Sequence, residues 1–330
     1  MITKLVAKTP THYVKDSIRF SAQLVFESSL TSSTKAMDMT SVFTFFLLII
    51  SCSQSLPFPS KSHSRNVTRT PFIIGGRPTN WNEVPYQAAL RVKVDEDSHK
   101  NLLAFCGGVI IHEHWLLTAA HCLVDEENHP VFELNEIEIV IGGHDLRTAR
   151  GTPFLVHPEK AIPHPAFKHV PYPLYIRQDI GLIKVKESLF VKRVSHVSRG
   201  VGLPEFNQDF AGMNATASGY GLSDDTDQEN FAKSLVSRKV EMKIMNHFDC
   251  REYHERLDSS SICTSNLGEV KGICKGDSGG PLVVYDEKKR PVVVGITSFI
   301  IKKCGTPDVP NFFTKVSRHV DWIRDTIQGN

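Results

Sequence analysis

The 330-residue chain contains no run of the eighteen or so consecutive apolar residues that a membrane-spanning helix requires. It has no Cys-x-x-Cys pair, so the commonest zinc-ligand spacing is missing. Charge of one sign is also lacking: 38 Lys and Arg stand against 36 Asp and Glu. Residues 1–72 hold eight of the basic and three of the acidic side chains, which leaves 30 against 33 in the rest. A body that is neutral to slightly acidic argues against a nucleic-acid binder, which needs a basic footprint. The length and a hydrophobic content of 41% allow one or two domains with a proper buried core.

What is present begins with a leader. Residues 1–38 show neither periodicity nor motif and are read as a gene-model extension or an unstructured leader. Met39 opens a short apolar stretch, Val42-Phe43-Thr44-Phe45-Phe46-Leu47-Leu48-Ile49-Ile50, followed by small residues where a signal peptidase could cut. Residues 39–55 are therefore expected to be a secretory signal, with Met37 or Met39 as the start; an unusual internal anchor is the alternative. Residues 56–72 are rich in Ser, Pro and Thr, as an unfolded connector is.

Seven cysteines are present, and Cys52 would leave with the signal. The even six that remain suit an oxidising, extracellular compartment, but they permit fifteen pairings, among which spacing does not choose. Two glycosylation sequons, at Asn66 and Asn214, fit the same compartment. From 73 to 313 the pattern is one of short β-type runs broken by turn residues: 88–94, 108–111, 137–141, 180–185, 239–244, 281–285 and 292–296. Such spacing suggests a sandwich or barrel. Val316, Val320, Ile323 and Ile327 recur at helical spacing and predict a docked helix over 316–327.

Three motifs carry chemistry. Gly276-Asp277-Ser278-Gly279-Gly280-Pro281 sets a serine in a glycine-rich turn able to aim backbone N–H groups inward. Thr118-Ala119-Ala120-His121-Cys122 ends an apolar strand on a histidine, a candidate base for a hydroxyl that is a poor nucleophile by itself. Asp179-Ile180-Gly181-Leu182-Ile183-Lys184-Val185 places an acid before an apolar strand. Each alone has a bland reading as a turn, a packed histidine or a surface acid; together, in the order His…Asp…Ser, they resemble the chymotrypsin-like serine proteases.

The resemblance implies an all-β fold of two antiparallel six-stranded Greek-key β-barrels, about 73–195 and 196–313, with a C-terminal α-helix and the active site between the barrels. It implies a secreted serine endopeptidase with His121, Asp179 and Ser278 as its triad. The N–H groups of Gly276 and Ser278 would form the oxyanion hole. Disulfides would join Cys106 to Cys122, Cys250 to Cys263 and Cys274 to Cys304. Phe72-Ile73-Ile74-Gly75-Gly76 resembles the family's activation site, so cleavage would free the Ile73 amine to pair with buried Asp277. Phe72 departs from the usual Lys or Arg. A trypsin-like activator would cut after Arg69 instead, and the activator should prefer aromatic residues or be followed by trimming.

The specificity pocket would be lined by Gly272 at its base, with Ile273, Ser298, Phe299, Ile300 and Asn311. Gly272 stands where trypsin-like members carry Asp, and Ile300 and Asn311 fall at wall positions that are usually glycine. Small apolar residues before the scissile bond are therefore expected, not Lys or Arg. Gly143 occupies the position of a calcium-binding glutamate, so neither cofactor nor metal is expected. Expected partners are protein or peptide substrates, an activating protease and macromolecular protease inhibitors, with no nucleic acid, no membrane after signal removal, and a monomeric state. The rival from another class is a non-catalytic secreted homologue that uses the fold as a binding module.

Overall fold

The computed structural model describes residues 73–92, 104–146, 154–172, 174–193, 196–222 and 235–330. The expected signal and propeptide, with Asn66, Arg69, Phe72 and the end of the 88–94 run, lie outside the described residues. In chain order the first half holds β1 (Arg77–Pro78), β2 (Gln87–Val92), β3 (Ala104–His112), β4 (Trp115–Thr118), β5 (Ile137–Ile141), β6 (Phe154–Val156) and β7 (Pro158–Pro163). A hairpin of β8 (Lys168–Val170) and β9 (Tyr175–Arg177) follows, then β10 (Gly181–Val185) and a hairpin of β11 (Lys192–Arg193) and β12 (His196–Val197). The second half holds β13 (Asn214–Gly219), β14 (Arg238–Ile244), α1 (His247–Tyr253), β15 (Ser261–Ser265), β16 (Pro281–Tyr285), β17 (Pro291–Ile300), β18 (Asn311–Lys315) and α2 (Val320–Gly329).

The strands form where inward side chains alternate. In β14, Val240, Met242 and Ile244 are buried while Glu241 and Lys243 face solvent, the period of a sheet with one wet face. β2 breaks that rule, with Gln87 to Arg91 all buried, because it is covered on both faces. The second sheet runs β1-β14-β13-β16-β17-β18-β15, and β14 also pairs with β15, so six strands close on themselves and β1 is an added seventh. The first sheet runs β6-β5-β2-β3-β4-β10-β7. Only His157 separates β6 from β7, and Pro158 removes a ladder donor there. Taken as one strand bent at that proline, β6 and β7 bridge β5 to β10 and complete a six-stranded ring.

The chain ends are exchanged between barrels, which the division at 195/196 does not foresee. β1, near the start, pairs with β14 of the second barrel (Arg77 with Lys239). At the other end, Val316, Trp322, Ile323 and Ile327 pack against the first barrel's core. The helix also begins later than its spacing predicts. Val316–Arg318 is a single 3-10 turn, His319 breaks it at φ −120°, and α2 then starts at Val320. His319 leaves helical geometry while its Nδ1 bonds back to the Lys315 carbonyl at 2.9 Å.

The barrels meet through backbone. The Gly107 N–H of β3 donates to the Ser278 carbonyl at 2.6 Å. A Cβ on Gly279 would lie 2.3 Å from Thr118 Oγ1 and 2.5 Å from the Gly107 carbonyl, at a φ of +77°. Gly279→Ala should therefore lower unfolding free energy by more than about 2 kcal/mol, through strain and lost inter-barrel contact. A urea midpoint equal to that of the parent protein would contradict so close an approach.

Candidate active site

His121 sits in a 3-10 turn, Ala120–Cys122, that ends β4. The Cys106–Cys122 disulfide ties that turn back to β3. The same three ligand atoms, of Cys106, His121 and Cys122, lie within 4.8 Å of one another, with both sulfurs spent in the bond. Asp179 lies between β9 and β10, and its carboxylate is 1% exposed. Its Oδ2 is 2.8 Å from His121 Nδ1, and its Oδ1 accepts from the His121 backbone N–H at 3.0 Å. Ser298 Oγ donates to Oδ2 at 2.5 Å, and Thr314 Oγ1 donates to the Asp179 carbonyl at 2.7 Å. Two barrels thus serve one carboxylate.

Electrostatics follow from that burial. Desolvation alone would raise the Asp179 pKa, but the His121 charge and the hydrogen bonds from His121 and Ser298 outweigh it and hold the carboxyl below its usual range. Desolvation would lower the His121 pKa, but Asp179 outweighs it and raises the imidazole above its ordinary value. The Nδ1–H is fixed on the carboxylate, so Nε2 is left as the acceptor toward the cleft.

Ser278, half-buried, precedes β16. Gly279 beside it packs against Thr118 and Ala119, the residues leading into His121. Gly276 holds φ +92°, a left-handed conformation that turns the chain of the nucleophile loop and that residues with a Cβ rarely adopt. Asp277 is 1% exposed. Its carboxylate accepts from the N–H groups of Gly221 at 2.7 Å and Cys274 at 2.9 Å. Burial pushes its pKa up to about 7 against those two bonds. Ile73 is 1% exposed and packs with Phe210, Ala215, Ile273 and Phe313 in the second barrel's core. Ile74 bridges Gly272, whose N–H donates to its carbonyl at 2.9 Å.

Of the six residues assigned to the pocket, the structure links Gly272, Ile273, Asn311 and Ile300, whereas Phe299 packs on Phe312 and Ser298 bonds to Asp179. Asn311 Oδ1 accepts from the Ile273 N–H at 3.0 Å, and a Cβ on Gly272 would lie 2.4 Å from that same oxygen. Asn311 Nδ2 points to Met242 Sδ at 3.5 Å. The Asn311 carboxamide therefore lies directly over Gly272. Ile300 is the cross-strand partner of Asn311 and packs against the second barrel's core. Phe299 stacks on Phe312 with ring centres 4.7 Å apart, and the His254 edge closes on it at 5.5 Å.

The other two disulfides join Cys250 to Cys263 and Cys274 to Cys304. Asn214 is the exposed first residue of β13. Reasoning from sequence missed Gly107, Thr314, Gly221 and His254, and it assigned Ser298 to the pocket without its bond to Asp179. No local signal marks them. They are recruited by long-range contacts: Gly221 with Asp277 across 56 residues, His254 with Leu174 across 80, Thr314 with Asp179 across 135, and Gly107 with Ser278 across 171.

A buried acid–imidazole pair and a serine on a glycine-rich turn, carried on two β-barrels, are the parts of an acyl-transfer hydrolase of the serine endopeptidase class. The family model described as Trypsin matches residues 73–323. Kallikrein 1-related peptidase b3 of Mus musculus is 30% identical over 268 residues, 78% of this chain and 90% of its own. Granzyme M of Homo sapiens is 31% identical over 256 residues, 76% and 88% of the two chains. CLIP domain-containing serine protease B4 of Anopheles gambiae is 29% identical over 286 residues, 83% and 74% of the two. The chain belongs to the trypsin family and is a serine endopeptidase acting on protein or peptide substrates.

As the candidate base, His121 would have to be neutral to take a proton, so kcat/KM should rise with pH through a midpoint above about 6.5. Asp179→Asn removes the interaction that raises it. The acid limb should move to lower pH while kcat falls about 10⁴-fold, as the pH dependence of peptide hydrolysis would record.

Proposed function

We propose that this endopeptidase is secreted as a zymogen, is activated by cleavage between Phe72 and Ile73, and cuts after small apolar residues. His121 would take the Ser278 proton as Oγ attacks the scissile carbonyl. Asp179 would hold the imidazole tautomer and steady its charged form. The N–H groups of Gly276 and Ser278 would receive the oxyanion, worth about 3–4 kcal/mol per donor in such sites. His121 then returns the proton to the leaving amine, and water releases the acyl group by the reverse route. The observation that carries this reading is the two-point hold of the Asp179 carboxylate on His121, at 2.8 and 3.0 Å.

Activation is argued from Asp277. A carboxylate this buried, with two N–H donors and a pKa pushed to about 7, calls for a cation if it is to ionise. Ile73 already lies in the second barrel's core, so the amine freed by cleavage would emerge close by. Secretion is supported by the three disulfides and by the signal-like stretch at 39–55. Glycosylation at Asn214 would follow.

Specificity is argued from Asn311. Its carboxamide over Gly272, with Ile300 opposite in register, shortens the pocket. No acid stands at the base to meet Lys or Arg. Past Ile296, β17 outruns its pairing with β16, and residues 298–300 offer an edge for an extended substrate. The enzyme would not cut after its own Phe72, so a separate activating protease is required. Macromolecular inhibitors would enter the same cleft, and a monomer suffices.

Two experiments test this. Protein cut after Phe72 should label at Ser278 with a fluorophosphonate, whereas uncut protein should label at least about tenfold more slowly; equal labelling of the two forms would rule out the zymogen. Ile300→Gly with Asn311→Gly should raise kcat/KM for Phe over Ala by at least about tenfold, at a stability cost of about 1–3 kcal/mol from the unpaired Ile273 N–H. A peptide library on which parent and variant share one preference would refute the pocket.

A further inference from the structure

Behind the catalytic acid lies a polar cluster that the mechanism does not use. Gln178, immediately before Asp179, is held at φ +50°, a left-handed conformation uncommon for a residue with a side chain. The backbone folds tightly there, the Ile180 N–H donating to the Gln178 carbonyl at 2.8 Å. Strain of this kind persists only where neighbours over-determine it. The neighbour is His319, 2% exposed at the start of α2, whose Nε2 is hydrogen-bonded to the Gln178 carboxamide. Its other nitrogen, Nδ1, is 2.9 Å from the Lys315 carbonyl. One imidazole thus ties the residue before Asp179 to the strand end that follows Thr314, itself bonded to the Asp179 carbonyl. His164 closes the group: its ring meets His319 edge-on at 5.3 Å and Trp322 at 4.8 Å, and its N–H donates to the Ile180 carbonyl at 2.9 Å.

We infer that Gln178 and His319 form a positioning pair for Asp179, with His319 clamping the strained residue so that the carboxylate stays aimed at His121. The inference rests on the catalytic reading of Asp179 given above. Neither residue touches the reacting atoms; both act through the backbone that carries the acid.

The two rings of the cluster are held by different partners. The Ala166 N–H donates to His164 Nδ1 at 3.2 Å, so that nitrogen carries no proton. Each ring nitrogen of His319 faces an oxygen, the Lys315 carbonyl at Nδ1 and Gln178 Oε1 at Nε2, so the ring approaches both as a donor. Burial lowers the His319 pKa; the Lys315 carbonyl and Asp258 pull it up, and Arg318 pushes it down. Asp258 is itself paired with Arg177 at 2.7 Å, and Lys315 lies 3.5 Å from Asp209. Burial and the neighbouring His319 bring His164 down to about 4. The unfolded chain takes that proton near 6.5, so the stability His164 contributes is complete above that pH and is lost as pH falls through about 4.

The test is Gln178→Met, which keeps the length and removes the hydrogen bond at a half-buried loop position that should not decide folding. In the activated enzyme kcat should fall about tenfold with KM within about twofold, because misalignment costs chemistry and not substrate binding. The His121 imidazole, followed by NMR in the same variant, should titrate at lower pH than in the parent. His319→Phe should do the same, and the double variant should lose no more than the worse single one. A Gln178→Met protein with parental kcat and parental His121 titration would overturn the proposal. The NMR titration needs no turnover, so this outcome is separate from a failure of Ser278 to label, which would strike the catalytic reading.

Discussion

The structure turns on one buried carboxylate. Asp179 belongs to the first barrel by chain connectivity, yet its bonds come from both barrels: His121 from the first, and Ser298 and Thr314 from β17 and β18 of the second. An ionised acid with almost no exposure is stable only when its lone pairs are filled, and it is costly otherwise. The candidate site is therefore also a joint of the molecule: His121 holds the carboxylate from within the first barrel, and the Ser298 bond, which also lowers the Asp179 pKa, reaches it from the second.

A second buried acid faces the opposite problem. Asp277 has hydrogen bonds but an ordinary acid's ionisation is not secured, and its pKa stands at about 7. Two carboxylates on one fold thus differ because one meets an imidazole and the other, among the described residues, meets backbone N–H groups. That difference suits a permanent joint on one side and a conditional one on the other. Glycines make room for it: a Cβ on Gly219 or Gly221 would come within 2.2 or 2.5 Å of the Asp277 carboxylate.

Much of this was legible along the chain. The motifs around His121 and Ser278 and the alternation in β14 are local patterns, while the order of His121, Asp179 and Ser278 and the even six cysteines are readable because they need only the linear chain and no contact. The limits of legibility are equally physical. α2 starts at Val320 and not Val316 because His319 is tied into a cluster that includes Gln178, 141 residues away in sequence. The exchange of β1 and α2 between barrels depends on which open edge and which bare core each end finds.

The sequence by itself determined the class of chemistry, because a serine hydroxyl, a base and an acid in glycine-framed motifs admit few other uses, and it determined the absence of an acid at Gly272. Tertiary structure alone decided what lies over that glycine, which atoms hold Asp179, and what steadies the strained residue before it. Those depend on side chains brought together across strands and barrels, where burial sets the strength of each contact, and no local spacing encodes that burial.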